Sequence, residues 1–175
     1  MNYEGLHRVI SGGQTGSDQG GLAAAKVMRV ETGGTAPKGY RTSAGLDSSL
    51  GTKYNLVESD SHGFERRTEQ NVFDSDATIR LASDFQSPGE VMTEKYVLKH
   101  GRPMHDVKLP VPKDRFTESV AETVEWIIGN QVAVLNVAGN RDKAGTMHFD
   151  ETAIYMCAVL GELRHRGKLI EEEKR

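Results

Sequence analysis

Glycines at positions 12, 13 and 16, interleaved with Gln14, Thr15, Ser17 and Asp18, form the stretch of this chain best equipped for chemistry. The stretch follows the apolar pair Val9-Ile10 and precedes the alanine-rich run Leu22-Ala23-Ala24-Ala25, the pattern of a strand, a glycine turn and a helix start. Such a start presents unpaired N–H groups and the positive end of a helix dipole, which together favour an anion. The spacing is neither the Gly-x-Gly-x-x-Gly dinucleotide fingerprint nor a P-loop, since no Gly-Lys-Ser/Thr follows. A turn of this composition can also be a plain connection, and the rest of the chain argues for a ligand.

Three cations are candidates to neutralise a phosphate. Lys38 and Arg41 flank Gly39, which permits a tight turn between them, and Arg67 lies on a predicted helix beside Glu69, Gln70, Asn71 and Asp74. The guanidinium offers a planar bidentate fork for phosphate. A second strand, loop and helix start follows at residues 77–90, where Gly89 and Glu90 open the helix that carries Thr93 and Glu94. The six histidines show no i, i+4 pair and no cysteine partner, so no metal site is expected.

The elements that must position these residues read as alternating strands and helices. Strands are expected at residues 7–10, 55–57, 77–82, 104–109 and 132–137, and helices at about 18–29, 64–73, 91–100, 117–129 and 150–163. Asp18 and Asp150 are the expected N-caps of the first and last helices. Gly20 and Gly21 would each cost about 1 kcal/mol inside the first helix, so either a strand or a ligand approaches closely there or the helix start is frayed. Residues 30–54 read as loop, and 171–175 as a charged, frayed tail behind a single domain at 1–170. The fold class that follows is α/β: an open, mainly parallel sheet with helices on both faces and its polar loops gathered along one edge.

Composition narrows the function classes. The net charge is −3, from 22 basic and 25 acidic residues, which argues against wholesale binding of a nucleic acid polymer. The single cysteine, Cys157, lies in an apolar run and reads as a packed core thiol in a reducing compartment. With no signal pattern and no apolar stretch long enough to span a bilayer, the expectation is a soluble, cytoplasmic protein away from membranes.

Four motifs together carry a resemblance: Ser-Gly-Gly-Gln-Thr-Gly-x-Asp at 11–18, Gly-Gly-x-x-Pro-Lys-Gly-x-Arg at 33–41, Arg-Thr-Glu-x-Asn-Val-x-Asp-Ser-Asp-Ala-Thr at 67–78, and Leu-Asn-Val-Ala-Gly at 135–139. In this order the chain resembles the molybdenum carrier family of the Rossmann-like SLOG superfamily, which also includes the lysine-decarboxylase-like, cytokinin-activating phosphoribohydrolases. The resemblance implies a homo-oligomer that binds a phosphate-bearing small molecule, either molybdenum cofactor or an adenine-nucleotide-derived ligand. Carried over by the resemblance, Gly12, Gly13, Thr15 and Gly16 would line the ligand, with Lys38, Arg41 and Arg67 as cationic partners; Gln14, Asp18, Gly39, Asn71, Asp76, Gly89, Glu90 and Thr93 complete the expected ligand-binding set.

The chain departs from the enzymes of that superfamily at their Pro-Gly-Gly-x-Gly-Thr-x-x-Glu loop. Here the stretch is Pro88-Gly89-Glu90-Val91-Met92-Thr93-Glu94-Lys95-Tyr96, with Tyr96 where the catalytic glutamate belongs. A carboxylate at Glu90 would compete with phosphate for the helix N-terminus. The expectation is therefore a non-catalytic binding protein that carries, senses or sequesters its ligand, including a signal such as a cyclic ADP-ribose derivative. The alternative is a nucleoside-monophosphate phosphoribohydrolase working through Arg67 with Glu94 or Glu90.

Overall fold

A computed structural model of the chain describes residues 3–172. In chain order it comprises β1 (Arg8–Ile10), α1 (Ser17–Val27), β2 (Glu31–Gly33), β3 (Thr35–Ala36), β4 (Arg41–Thr42), β5 (Gly45–Leu46), α2 (Ser49–Tyr54), β6 (Val57–Glu58) and α3 (Phe64–Phe73). These are followed by β7 (Ala77–Ala82), α4 (Pro88–His100), β8 (Met104–Lys108), a 3-10 turn at Lys113–Arg115, α5 (Phe116–Gly129), β9 (Val134–Gly139) and α6 (His148–His165).

The central sheet has five parallel strands in the order β2-β1-β9-β7-β8. Every residue of β7 is buried, as a parallel strand covered on both faces requires. Helices α1, α5 and α6 share one face, where Ala24, Val124, Tyr155 and Leu160 close over Val9, Ile79 and Leu135. On the other face α3 and α4 pair through Val72, Tyr96 and Val97. The chain leaves β1 toward β2 and leaves β7 toward β8 in the opposite direction, with β9 between them. Ligands of open α/β sheets sit at such a switch point, outside the carboxyl ends of the strands.

Gly20 and Gly21 serve packing within the chain. A Cβ on Gly20 would stand 2.5 Å from the Phe149 carbonyl oxygen of α6, and one on Gly21 would stand 2.5 Å from Val137 of β9. Close approach of a strand thus holds for Gly21, and for Gly20 the neighbour is a helix.

Several boundaries differ from those read in the sequence. Asp18 does not cap α1; Gly16 precedes the helix with φ +88°, and Asp18 lies in the first turn. Asp150 likewise lies inside α6, because the Asp142 carboxylate accepts the His148 N–H at 2.8 Å and starts the helix earlier. Pro88 at the first turn of α4 begins that helix before residue 91. Residues 41–54 hold a short hairpin and α2, whose Leu50 and Tyr54 pack with Leu22, Ala36 and Leu56 in a second apolar cluster. Cys157 is half-buried against the main core. Glu171 is tied down, its carboxylate 2.6 Å from Arg164 and 3.3 Å from Arg29; the remainder of the expected tail, 173–175, lies outside the described residues. No described helix is long and apolar enough to cross a membrane.

Candidate functional site

At the carboxyl edge of β7 and β9 lies a cavity of about 350 Å³. Four helices begin on it: Asp18 of α1, Phe64 of α3, Pro88 to Glu90 of α4 and His148 of α6 all line its wall. Each of those first turns carries N–H groups without intrahelical partners, so positive partial charge converges on the space between them.

The strand ends are locked by Asn140, just beyond β9. Its Oδ1 accepts the backbone N–H groups of Ser83 and Asp84 at 2.9 and 2.8 Å, and its Nδ2 donates to the Asp84 carbonyl and the Ser87 hydroxyl at 3.0 and 3.2 Å. One buried side chain therefore fixes the loop from β7 to α4. Gly139 leaves the room this needs, since a Cβ there would lie 1.9 Å from the Leu81 carbonyl oxygen.

Arg67 reaches the cavity from α3. Its Nη1 is 3.1 Å from the Asp18 carboxylate, which also accepts the Gln14 N–H at 3.1 Å. Its Nε is buried without a hydrogen-bond partner among the described residues, as is Oε2 of Glu90. Two guanidinium groups stand over the Phe64 ring, Arg67 at 5.7 Å and Arg41 at 5.4 Å from its centroid.

Burial raises the Asp18 carboxyl above its ordinary value, against the opposing pull of Arg67. Glu90 is pushed up to about 8, by burial first and then by the negative charge of Asp18. At neutral pH Glu90 is thus largely a carboxylic acid and a potential hydrogen-bond donor. The competition expected between a Glu90 carboxylate and a bound phosphate is correspondingly relieved.

Of the residues singled out in the sequence, Gln14, Asp18, Arg67, Gly89, Glu90 and Thr93 are brought together on the cavity wall. The others are not among the lining residues. Gly12, Gly13 and Gly16 make room for the chain itself: a Cβ on them would meet Arg67 at 1.7 Å, Leu56 at 2.7 Å and the Asn140 carbonyl oxygen at 2.4 Å. Thr15 pairs its hydroxyl with Ser43 at 2.7 Å.

Lys38 is exposed and Gly39 turns the chain with φ +74°, and both stand apart from the cavity lining. Arg41 is exposed beside Phe64 and donates to the His62 carbonyl at 3.4 Å. Two further side chains are occupied within the fold. Asn71 is buried and clamps β3, accepting the Thr35 N–H at 2.8 Å and donating to its carbonyl at 2.9 Å. Asp76 sits at the opposite, amino edge of β7, accepting the N–H groups of Ala133 and Val134 at 2.9 and 2.8 Å.

The carboxylate proposed for hydrolysis is also engaged elsewhere. Glu94 lies outside the cavity lining, 3.5 Å from Arg80, which makes a bidentate pair with Asp106 at 2.7 and 2.6 Å. Tyr96 donates its hydroxyl to Glu65 at 2.5 Å and serves the contact between α3 and α4.

Sequence reasoning singled out none of Asn140, Ser83 and His148. The polar loops at 138–141 and 83–90, expected along this edge, hold the first two, and nothing in the sequence signalled that His148 joins them. Among the described residues, no group of three histidine, cysteine or acidic side chains is placed to hold a metal ion.

The family profile of the circularly permutated YpsA SLOG family matches residues 9–159. A crystal structure of a proposed molybdenum carrier protein from Syntrophus aciditrophicus SB is similar at 26% identity and a TM-score of 0.80, covering 90% of this chain and 96% of that one. No curated protein matches the chain. The profile spans all five strands of the central sheet and the loops that line the cavity, and the similar structure shares that architecture over most of both chains. The chain belongs to the circularly permutated YpsA SLOG family.

Proposed function

We propose that the protein is a binding protein for a phosphate-bearing small molecule, nucleotide-like or molybdopterin-like, held in the cavity at the switch point. The observation that carries this reading is the convergence of four helix starts on one space that also receives Arg67, whose buried Nε has a donor to spare. The volume suits a small organic ligand. The molybdenum-carrier description of the similar crystal structure agrees with a pterin phosphate, and any molybdenum would then enter bound to the organic cofactor, as cargo. Carriage, sensing and sequestration, including of a cyclic ADP-ribose derivative, all use this same binding step. The reading also carries self-association and a cytoplasmic location, in keeping with the free thiol of Cys157.

The test is native mass spectrometry of the purified protein for a retained small molecule, followed by thermal shift with AMP, ADP-ribose, a cyclic ADP-ribose derivative and molybdopterin. At a ligand concentration about a hundredfold above Kd the folded state gains about 2.7 kcal/mol. A rise in melting temperature that Arg67→Ala abolishes is expected. A protein that retains nothing and responds to none of these compounds would overturn the reading.

A further inference from the structure

We propose that Ser83 is a nucleophile activated by His148, and that the cavity thereby hydrolyses small carboxylic esters through an acyl group carried on Ser83. The inference goes beyond ligand binding and rests on side chains that the binding reading does not use.

Ser83 stands immediately beyond β7, and its Oγ lies 2.8 Å from Nε2 of His148, the first residue of α6. Both side chains line the cavity, and the imidazole is otherwise buried, with its side chain 5% exposed. The opposite ring nitrogen, Nδ1, faces two acceptors: the Arg141 carbonyl at 3.2 Å and the Asp142 carboxylate at 3.7 Å. Neither can donate, so they assign the ring proton to Nδ1 and leave Nε2 as a lone pair. The Ser83 hydroxyl then donates to Nε2. Its other near neighbour, Asn140 Oδ1 at 3.3 Å, is already the acceptor for two backbone N–H groups.

A nucleophile hydrogen-bonded to a base, with the base oriented by a third group, is the arrangement that activates serine. Asp142 is a positioning residue here: its Oδ1 accepts the His148 N–H at 2.8 Å and holds the imidazole at the start of the helix. The N–H groups of Ser83 and Asp84 are consumed by Asn140, so an oxyanion must find donors elsewhere. The start of α4 supplies them. The first intrahelical donor there is Val91, which bonds the Ser87 carbonyl at 3.0 Å. The N–H groups of Gly89 and Glu90 are therefore left over at a wall of the same cavity, and the space around Gly89 is open, with no atom within 4 Å of a Cβ built there.

In the reaction, Oγ of Ser83 attacks the ester carbonyl carbon while Nε2 of His148 takes the hydroxyl proton. The carbon–oxygen bond to the alcohol breaks, and the imidazolium returns that proton to the departing oxygen. Water, deprotonated by the same nitrogen, then attacks the acyl carbon. The acid leaves and Ser83 recovers its hydrogen.

The test uses the full chain with two probes, p-nitrophenyl acetate for turnover and an alkyl fluorophosphonate for labelling. Peptide mapping of the unaltered protein is expected to place the phosphonyl group on Ser83, with fluoride released. Ser83→Ala, which keeps the backbone bonds to Asn140, is expected to lose both turnover and label. His148→Asn keeps a donor toward Arg141 while removing the base, and is expected to slow labelling about a hundredfold or more. A label on other residues, no label, or turnover unchanged in Ser83→Ala would overturn the proposal. So would equal labelling of a folded His148→Asn protein, its fold checked by melting. If that variant does not fold, the map of the unaltered protein and Ser83→Ala still decide. The ligand shifts tested with Arg67→Ala are read separately, so failure of one reading leaves the other standing.

Discussion

Arg67 fills the space that a side chain at residue 12 would need. A Cβ on Gly12 would stand 1.7 Å from Nη1 of Arg67, the nitrogen that reaches Asp18 at 3.1 Å. Gly12→Ala must therefore displace the guanidinium and leave Asp18 with the Gln14 N–H as its remaining partner. Because the far end of a flexible side chain can move aside, a loss of about 1–3 kcal/mol is expected in urea denaturation. Gly129→Ala is the control: no atom lies within 4 Å of the added carbon, so stability should be unchanged or higher by up to about 1 kcal/mol.

Glu90 makes stability depend on pH in an unusual direction for a carboxyl group. Its value in the folded protein is about 8, above the ordinary 4.5, so the folded chain holds a proton that the unfolded chain gives up between those values. The contribution is fully present below pH 4.5 and is lost as pH rises through 8. Unfolding free energies measured across this window should fall by a few kcal/mol, since a tenfold drop in proton concentration is worth at most roughly 1.4 kcal/mol for one group. Glu90→Gln should flatten that slope, and an equally steep profile in the variant would assign it to other groups.

Asn140→Ala removes four hydrogen bonds at one point. The expected cost is about 2–4 kcal/mol, because the N–H groups of Ser83 and Asp84 lose their acceptor. Hydrogen exchange should show the effect locally, with those two amides losing protection more than the amides of β7 itself.

Asp76→Ala separates structural from ligand-binding carboxylates. Two backbone N–H groups at the start of β9 lose their acceptor, so a destabilisation of about 1–3 kcal/mol is expected. The thermal response to whichever ligand binds should survive intact. A lost response in a folded variant would return Asp76 to the site.

Four strands of the central sheet and five helices were legible because hydrophobic periodicity survives local accident, whereas β2 (Glu31–Gly33) fell in the stretch 30–54 read as loop. Ala77–Ala82 and Phe64–Phe73 match the expected strand and helix, since the alternation of Ala77, Ile79 and Leu81 with Thr78 and Arg80 and the i, i+4, i+8 stripe of Phe64, Thr68 and Val72 each have one good reading. Residues 41–54 were not legible: glycine and serine mask α2, whose stability comes from Leu50 and Tyr54 packing on distant residues. At the site, Arg67 was readable as a cation flanked by polar groups. Asn71 and Asp76 had the same polar signature, but their partners, Thr35 and the start of β9, are set by tertiary contact alone. Ser83 and His148 are 65 positions apart and meet only because β7 and α6 end and begin on the same edge.

The four helices that start on the cavity run away from the carboxyl edge of the sheet, so their carbonyl ends lie toward the far edge of the molecule. Their dipoles add instead of cancelling, and the whole domain acquires a poled axis. An approaching anionic solute would exert a torque that swings the pocket mouth toward it before any contact is made. That orientation opposes the repulsion an anion meets from the net charge of −3, and added electrolyte shortens the reach of both.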